Sequence, residues 1–283
     1  MSTESQYVYP SVLTIAGSDS GGGAGIQADL KTISALGCYG TSAITTITAQ
    51  NTTGVKALHH LPIAIITAQI EAIMDDIRPD AIKIGMIAEP AILLAIYEIL
   101  KHYPTIPVIL DPVMISTSGH RLIGEDTIEP MKQFLIPLTT LVTPNLDEAA
   151  ILAGMTISTV SEMKIAAGKI LNLGSQAVLV KGGHLKGEQL SDIYLDKNGL
   201  EFCYENTAIN SLNTHGTGCT LSSAIASFLA RGFELPAAIQ HAESYVQQTI
   251  RQGVNVKTGK GKGPLNHFHA PVPLIKQDAN LKN

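Results

Sequence analysis

The feature that most restricts the folds open to this chain is a rhythm. Short, nearly all-apolar, β-branched runs alternate with longer stretches whose apolar residues recur at helical spacing. The runs are Val12–Ala16, Ser42–Thr48, Ala81–Ile84, Val108–Leu110, Leu141–Thr143 and Ala177–Val180. Such runs fit strands covered on both faces, because a strand with one wet face would alternate polar and apolar residues. Between them, Ile26, Leu30, Ile33 and Leu36 form one helical stripe before Gly37, and Ile63, Ile66, Ile70, Ile73, Met74 and Ile77 form another after Pro62. Pro90–Tyr103, Leu146–Ala153 and Met163–Leu173 supply three further helices. Repeated βα units with short connections predict an α/β fold, a mostly parallel central sheet with helices on both faces. One segment breaks the rhythm: Asp192–Leu195 and Leu200–Tyr204 flank an Asn198-Gly199 turn and read as a small antiparallel edge hairpin. No linker-like tract divides residues 1–283, which read as a single domain with a flexible tail over about 271–283.

The charge balance narrows the partners. Nineteen basic against 24 acidic residues give a net charge of −5, aromatic residues make up 5%, and no block of like charges occurs. That argues against nucleic acid and against anionic membrane surfaces, and leaves small molecules. The longest apolar stretches fall well short of a membrane span, and the polar start of the chain has no secretory pattern. Cys38, Cys203 and Cys219 are widely spaced and odd in number, as in a reducing compartment, so a cytoplasmic protein is expected.

Three glycine-rich segments are candidates for chemistry. Gly17-Ser18-Asp19-Ser20-Gly21-Gly22-Gly23-Ala24-Gly25 follows the first strand, where open α/β sheets bind ligands, but fits neither the dinucleotide nor the P-loop spacing. A tight turn alone is the alternative, although the run holds more glycine than a turn requires. Asn213-Thr214-His215-Gly216-Thr217-Gly218-Cys219-Thr220 runs into an amphipathic helix. Glycines there free amides to converge on one point, and the helix dipole makes that point an anion hole; Cys219 sits where the dipole would acidify a thiol. A simple helix start capped by Thr220 is the alternative. Lys181-Gly182-Gly183 after a strand, and the Gly259–Gly263 run with Lys260 and Lys262, offer point charges for phosphate.

Carboxylates complete the set. Asp111 ends one strand, and Asn145 with Glu148 sits at the next strand-to-helix junction. Two carboxylates at adjacent strand ends suit a shared Mg²⁺ held through waters and phosphate oxygens. Asn145 and Glu148 equally form a capping box. His59-His60 and His267-Phe268-His269 lack partners at zinc spacing and read as surface or packing residues.

Taken together the segments resemble the hydroxymethylpyrimidine and phosphomethylpyrimidine kinases of thiamine biosynthesis, within the ribokinase-like superfamily. The likeness runs through Leu13–Asp19, Gly22–Thr32, Ala49–Thr52, Lys83–Met86, Thr143–Asn145, Val180–His184, Gly216–Thr220 and Gly261–His269, nearly the whole chain. It implies a ribokinase-like sheet and transfer of the γ-phosphoryl of ATP to 4-amino-5-hydroxymethyl-2-methylpyrimidine and then to its monophosphate. By likeness Gln50 reads the aminopyrimidine edge, with Gly17, Asp29, Met86 and Val113 around the ring. Asn145, Lys181 and Lys260 face ATP, Asp111 and Glu148 face Mg²⁺, and Gly216, Thr217 and Gly218 form the anion hole. Cys219 takes the place of the aspartate base common in the superfamily, as it does in the nearer family. A homodimer is also implied. A pyridoxal kinase of the same fold and a non-catalytic pyrimidine or nucleotide sensor are the rival readings.

Overall fold

A computed structural model describes residues 6–114, 123–183 and 189–279. Strand β1 (Tyr7–Val8) precedes β2 (Ser11–Asp19), α1 (Gly25–Ala35), β3 (Tyr39–Asn51), β4 (Gly54–His60), α2 (Ile63–Asp76), β5 (Ala81–Ile84), α3 (Pro90–Leu100) and β6 (Val108–Leu110). Helical turns of mixed pitch, with α4 (Ile128–Pro130) among them, lead to β7 (Leu141–Val142), α5 (Leu146–Ala153), α6 (Val160–Leu171) and β8 (Ala177–Val180). Then come β9 (Gln189–Asp196), β10 (Glu201–Thr207), α7 (Thr217–Ala230), α8 (Leu235–Gly253) and β11 (Gln277–Asp278). Nine strands form one sheet in the order β10-β9-β8-β7-β6-β5-β2-β3-β4. The six from β3 to β8 in that order are parallel, and both edges are antiparallel.

The apolar runs behave as their composition requires. All four residues of β5 are fully buried, since alternate side chains enter two separate cores. Leu13, Ile15, Ile82 and Ile84 face α2, α3, α5 and α6; Val12, Ala81 and Ile109 face α1, α7 and α8. On that second face Thr14 and Lys83 point inward too, which plants a polar cluster inside an apolar layer. Both α5 and α6 begin with capping boxes, Asn145 with Glu148 and Thr159 with Glu162. Sequence order proceeds from β2 to β3 on one side and to β5 on the other, so strand order reverses at β2 and opens a crevice above its carboxyl end.

Several features differ from the sequence expectation. Strand β4, the mixed helix near residue 130 and the strongly amphipathic helix α8 are additions. The hairpin extends to Gln189–Thr207 and joins the main sheet. The tail expected to be flexible from residue 271 is instead docked: the Val272 and Ile275 amides donate to the Ala35 and Gly37 carbonyls, and β11 pairs with β1. Residues 280–283 of that tail, and His184, lie outside the described residues.

His267 anchors the approach to this tail. Its Nε2 lies 3.0 Å from the Thr220 hydroxyl, which itself donates to the Gly216 carbonyl, so Nε2 is the donor. Burial pushes its pKa down to about 4 from an ordinary 6.5. The unfolded chain therefore takes up the proton first, and stability contributed by this site is lost as pH falls from 6.5 to about 4, by about 3 kcal/mol. Glu148 runs oppositely over an overlapping range. The difference between wild type and His267→Gln in urea titrations at pH 4.5 and 7.5 isolates the term, and the variant is expected to lose less stability on acidification.

Candidate active site

A cleft of about 720 Å³ lies over the carboxyl ends of the parallel strands. Its polar centre is built from strand ends. Lys181, just past β8, donates from its backbone to the Pro144 carbonyl, and its ammonium lies 3.0 Å from Asp111 Oδ1, beyond β6. Glu148 is 3% exposed; its Oε2 accepts from the Asn145 amide at 2.8 Å and its Oε1 from the Met114 amide at 3.4 Å. Burial and the neighbouring Asp111 push its pKa up to about 7, against the pull of Lys181. Burial lowers the Lys181 pKa, but Asp111 and Glu148 outweigh it and the group is held cationic. Asn145 thus serves both readings of its sequence: it caps α5 through Oδ1 and lines the cleft.

Across from this centre, α7 starts at the cleft. Gly216 caps it with φ +86°, and a Cβ there would strike the Gly23 carbonyl, so the two glycine-rich loops meet backbone to backbone. The Thr217 amide and hydroxyl both donate to the Thr214 carbonyl. Gly218 and Cys219 occupy the next helical positions, whose amides have no partner within the helix and face the cleft end of the dipole. The Gly218 Cα is turned toward the charged pair: a Cβ there would lie 3.3 Å from both Asp111 Oδ2 and Lys181 Nζ.

Gly17, Gln50, Met86 and Val113 also line the cleft. A Cβ at Gly17 would come within 2.5 Å of Met86 Cε, so an added methyl would displace the end of that flexible side chain. Leu190, Ala208, Ile209, Leu221 and Ile250 add an apolar slot with Gln247 beside it. Leu190 is on β9, Ala208 and Ile209 follow β10, Leu221 is on α7, and Gln247 and Ile250 are on α8.

Three expectations need correction. Asp29 is fully buried beneath the cleft rather than lining it; Lys83 donates to both its oxygens at 2.8 and 3.0 Å, and Thr14 and Ser223 each donate at 2.6 Å. Lys260 is exposed, its amide donating to Thr52 Oγ1 at 3.1 Å, and Lys262 lines the cleft in its stead. Cys219 is not acidified: burial pushes the thiol up to about 11, because the charges of Asp29 and Asp111 cancel much of the help from Lys83 and the Gly25 amide. Three groups were overlooked as site residues, namely Lys83, Asp19 and His215, all of which line the cleft. A lysine inside an apolar strand run was the available signal for the first.

Among the described residues no cluster of three or more His, Cys, Asp or Glu side chains has metal-binding geometry, and no helix is long and apolar enough to cross a membrane.

Comparison with known proteins agrees with the geometry. Residues 19–266 match the family described as phosphomethylpyrimidine kinase. A hydroxymethylpyrimidine/phosphomethylpyrimidine kinase of Rhizobium meliloti is 46% identical over 258 residues, covering 91% of this chain and 96% of the relative. The crystal structure of a phosphomethylpyrimidine kinase from Clostridium difficile 630 is 49% identical, with a TM-score of 0.76 over 85% of this chain and 99% of its own. A Bacillus subtilis pyridoxal kinase in complex with ADP is 36% identical and superposes with a TM-score of 0.85, covering 92% of this chain and 98% of its own. With a family match over most of its length and relatives far above the identity at which folds and families coincide, this chain belongs to the phosphomethylpyrimidine kinase family.

Proposed function

We propose that the chain moves the γ-phosphoryl of ATP onto the hydroxyl of 4-amino-5-hydroxymethyl-2-methylpyrimidine, and a second phosphoryl onto the monophosphate so formed. The observation that carries the residue assignment is convergence: Gly218 in the first turn of α7, Lys181 and the Asp111 carboxylate meet in a cleft that Gln50 also lines. Phosphoryl transfer passes through a loose transition state, so positioning and charge neutralisation matter more than a strong base. Lys181 and the amino end of α7 neutralise the migrating group. A thiol that stays protonated at neutral pH serves as hydrogen-bond donor or packing wall for the hydroxymethyl group.

The donor set fits a Mg²⁺ ion. Asp111 Oδ2 is turned toward Gly218 while Oδ1 holds Lys181, and Glu148 stands behind. One or two carboxylates completed by waters and phosphate oxygens is how this cation is usually held. When bound, Mg²⁺ supplies charge neutralisation on the phosphates. The apolar slot of Leu190, Ile209 and Ile250 suits the adenine ring, and one domain carrying the whole site in a cytoplasmic homodimer completes the reading.

Selectivity is the sharpest test, because a pyridoxal kinase is among the structural neighbours. A site built to hydrogen-bond an amino edge rejects analogues lacking it by up to about 10⁴-fold. Steady-state kcat/KM is expected to favour the aminopyrimidine alcohol over pyridoxal, and Gln50→Ala is expected to lower it by about a hundredfold for the former while changing the latter little. Preference for pyridoxal in the wild type overturns the substrate assignment.

A further inference from the structure

We propose that His215 and Asp19 form a positioning pair that fixes which way round the Gln50 amide faces, and so sets the order of donor and acceptor that the cleft reads on a heterocycle. The inference rests on the role assigned to Gln50 above.

Asp19 is 2% exposed, at the end of β2. Its Oδ1 accepts from the Gly21 amide at 2.8 Å, and its Oδ2 accepts from the Gly23 and Ala24 amides at 3.1 and 2.9 Å. The glycine-rich loop is therefore wrapped around a carboxylate of its own, and positive φ at Gly22 and Gly25 lets it turn that tightly. His215 Nε2 lies 2.9 Å from the same Oδ2. A carboxylate collecting three amides is an acceptor only, so the proton between the two groups belongs to the imidazole, and Nε2 is a donor. Burial raises the Asp19 pKa, but His215 and the loop amides outweigh it and hold the group low, in keeping with that assignment.

The consequence falls on Gln50. Its amide Nε2 is placed 3.3 Å from His215 Nε2, so two donors would face one another. Its Oε1 is placed 3.3 Å from Thr48 Oγ1, yet that hydroxyl gives its proton to the Ser18 carbonyl at 2.7 Å and can only accept from the amide. Amide oxygen and nitrogen are interchangeable by a half-turn, and the surrounding network decides between them. Thr48 demands the half-turn that brings the amide nitrogen to its hydroxyl, and His215, whose single Nε2 proton lies mainly on Asp19, favours the same half-turn because it removes the facing N–H groups and lets the amide oxygen share that proton as its longer arm. Each end then keeps capacity for a ligand: the oxygen a second lone pair, the nitrogen a second proton. A ring presenting an exocyclic amino group beside an unprotonated ring nitrogen meets this pair in one orientation only. A ring with a carbonyl in place of the amino group presents the reverse order and is excluded.

The test compares kcat/KM for the aminopyrimidine alcohol and its 4-oxo analogue in wild type, His215→Leu, His215→Gln, Gln50→Ala and the Gln50→Ala/His215→Leu double variant. His215→Leu is expected to narrow the amino-over-oxo ratio by about tenfold or more, mostly through KM. His215→Gln, whose amide can still donate to Asp19, is expected to restore much of it. In the Gln50→Ala background the His215→Leu change is expected to leave the ratio unaltered. A merely structural role lowers both substrates by one factor, and that result, or a ratio unmoved in His215→Leu, overturns the proposal. If His215→Leu does not fold, His215→Gln against Asp19→Asn gives the same comparison, with Asp19→Asn expected to narrow the ratio. Wild-type turnover is measured first. Its absence overturns the kinase reading, and calorimetric binding of the two rings to the same variants then decides the pair on its own.

Discussion

Replacing Lys83 with methionine is expected to cost the fold about 3–5 kcal/mol, much of the stability a domain of this kind possesses. The ammonium and the Asp29 carboxylate are both fully buried, 2.8 Å apart at their closest atoms, between β5 and α1. Removing one charge strands the other in an apolar layer, and that desolvation penalty is what the measurement reads. Burial lowers the Lys83 pKa, but Asp29, Cys219 and Asp111 reverse it, so the lysine stays charged across the working range. Because Asp29 also accepts from Thr14 and Ser223, it keeps partial company in the single variant, which bounds the loss. Urea midpoints are the readout. The double variant Asp29→Asn/Lys83→Met is expected to be less destabilised than the sum of the two single variants, since no unpaired charge remains. An unchanged midpoint for Lys83→Met means the pair carries no net stability and the reading of this cluster is wrong.

The same cluster explains why the layer plan was legible in the sequence while part of the site was not. Strand runs such as Ala81–Ile84 and Val108–Leu110 stand in the structure with the boundaries their composition predicts, because burial on both faces leaves a local, unbroken signature. Gly216–Cys219 and the Asn145/Glu148 cap are likewise local, each with its residue types at fixed spacing ahead of a helix. Asp29 is different. Its neighbours Thr14, Lys83 and Ser223 are spread over more than 200 positions, and nothing near Asp29 in sequence separates a ligand contact from an internal ion pair. The thiol of Cys219 failed for a related reason: the helix end that favours its anion is local, whereas the carboxylates that oppose it arrive from α1 and β6. Long-range electrostatics therefore fixed the details that spacing left open.

Gly218→Asp is expected to reduce kcat by about a thousandfold while leaving the fold intact. The backbone is helical and the two 3.3 Å contacts are with side-chain ends that can give by a few tenths of an ångström, and the favourable dipole and Lys181 offset the repulsion from Asp111. What changes is the field. A Cβ at this position points at Lys181 Nζ and Asp111 Oδ2, both 3.3 Å away, so the new carboxylate captures the lysine and places a negative charge where the migrating phosphoryl group needs a positive one. Gly218→Ala fills the same space without charge and is expected to lose far less, which separates electrostatic from steric loss. Gly216→Ala is a harsher change of another kind, because φ of +86° and the Gly23 carbonyl oppose any side chain there. Thermal unfolding of Gly218→Asp near the wild-type midpoint, together with lost turnover, places the transferred charge at the amino end of α7. Wild-type turnover in that variant moves it elsewhere.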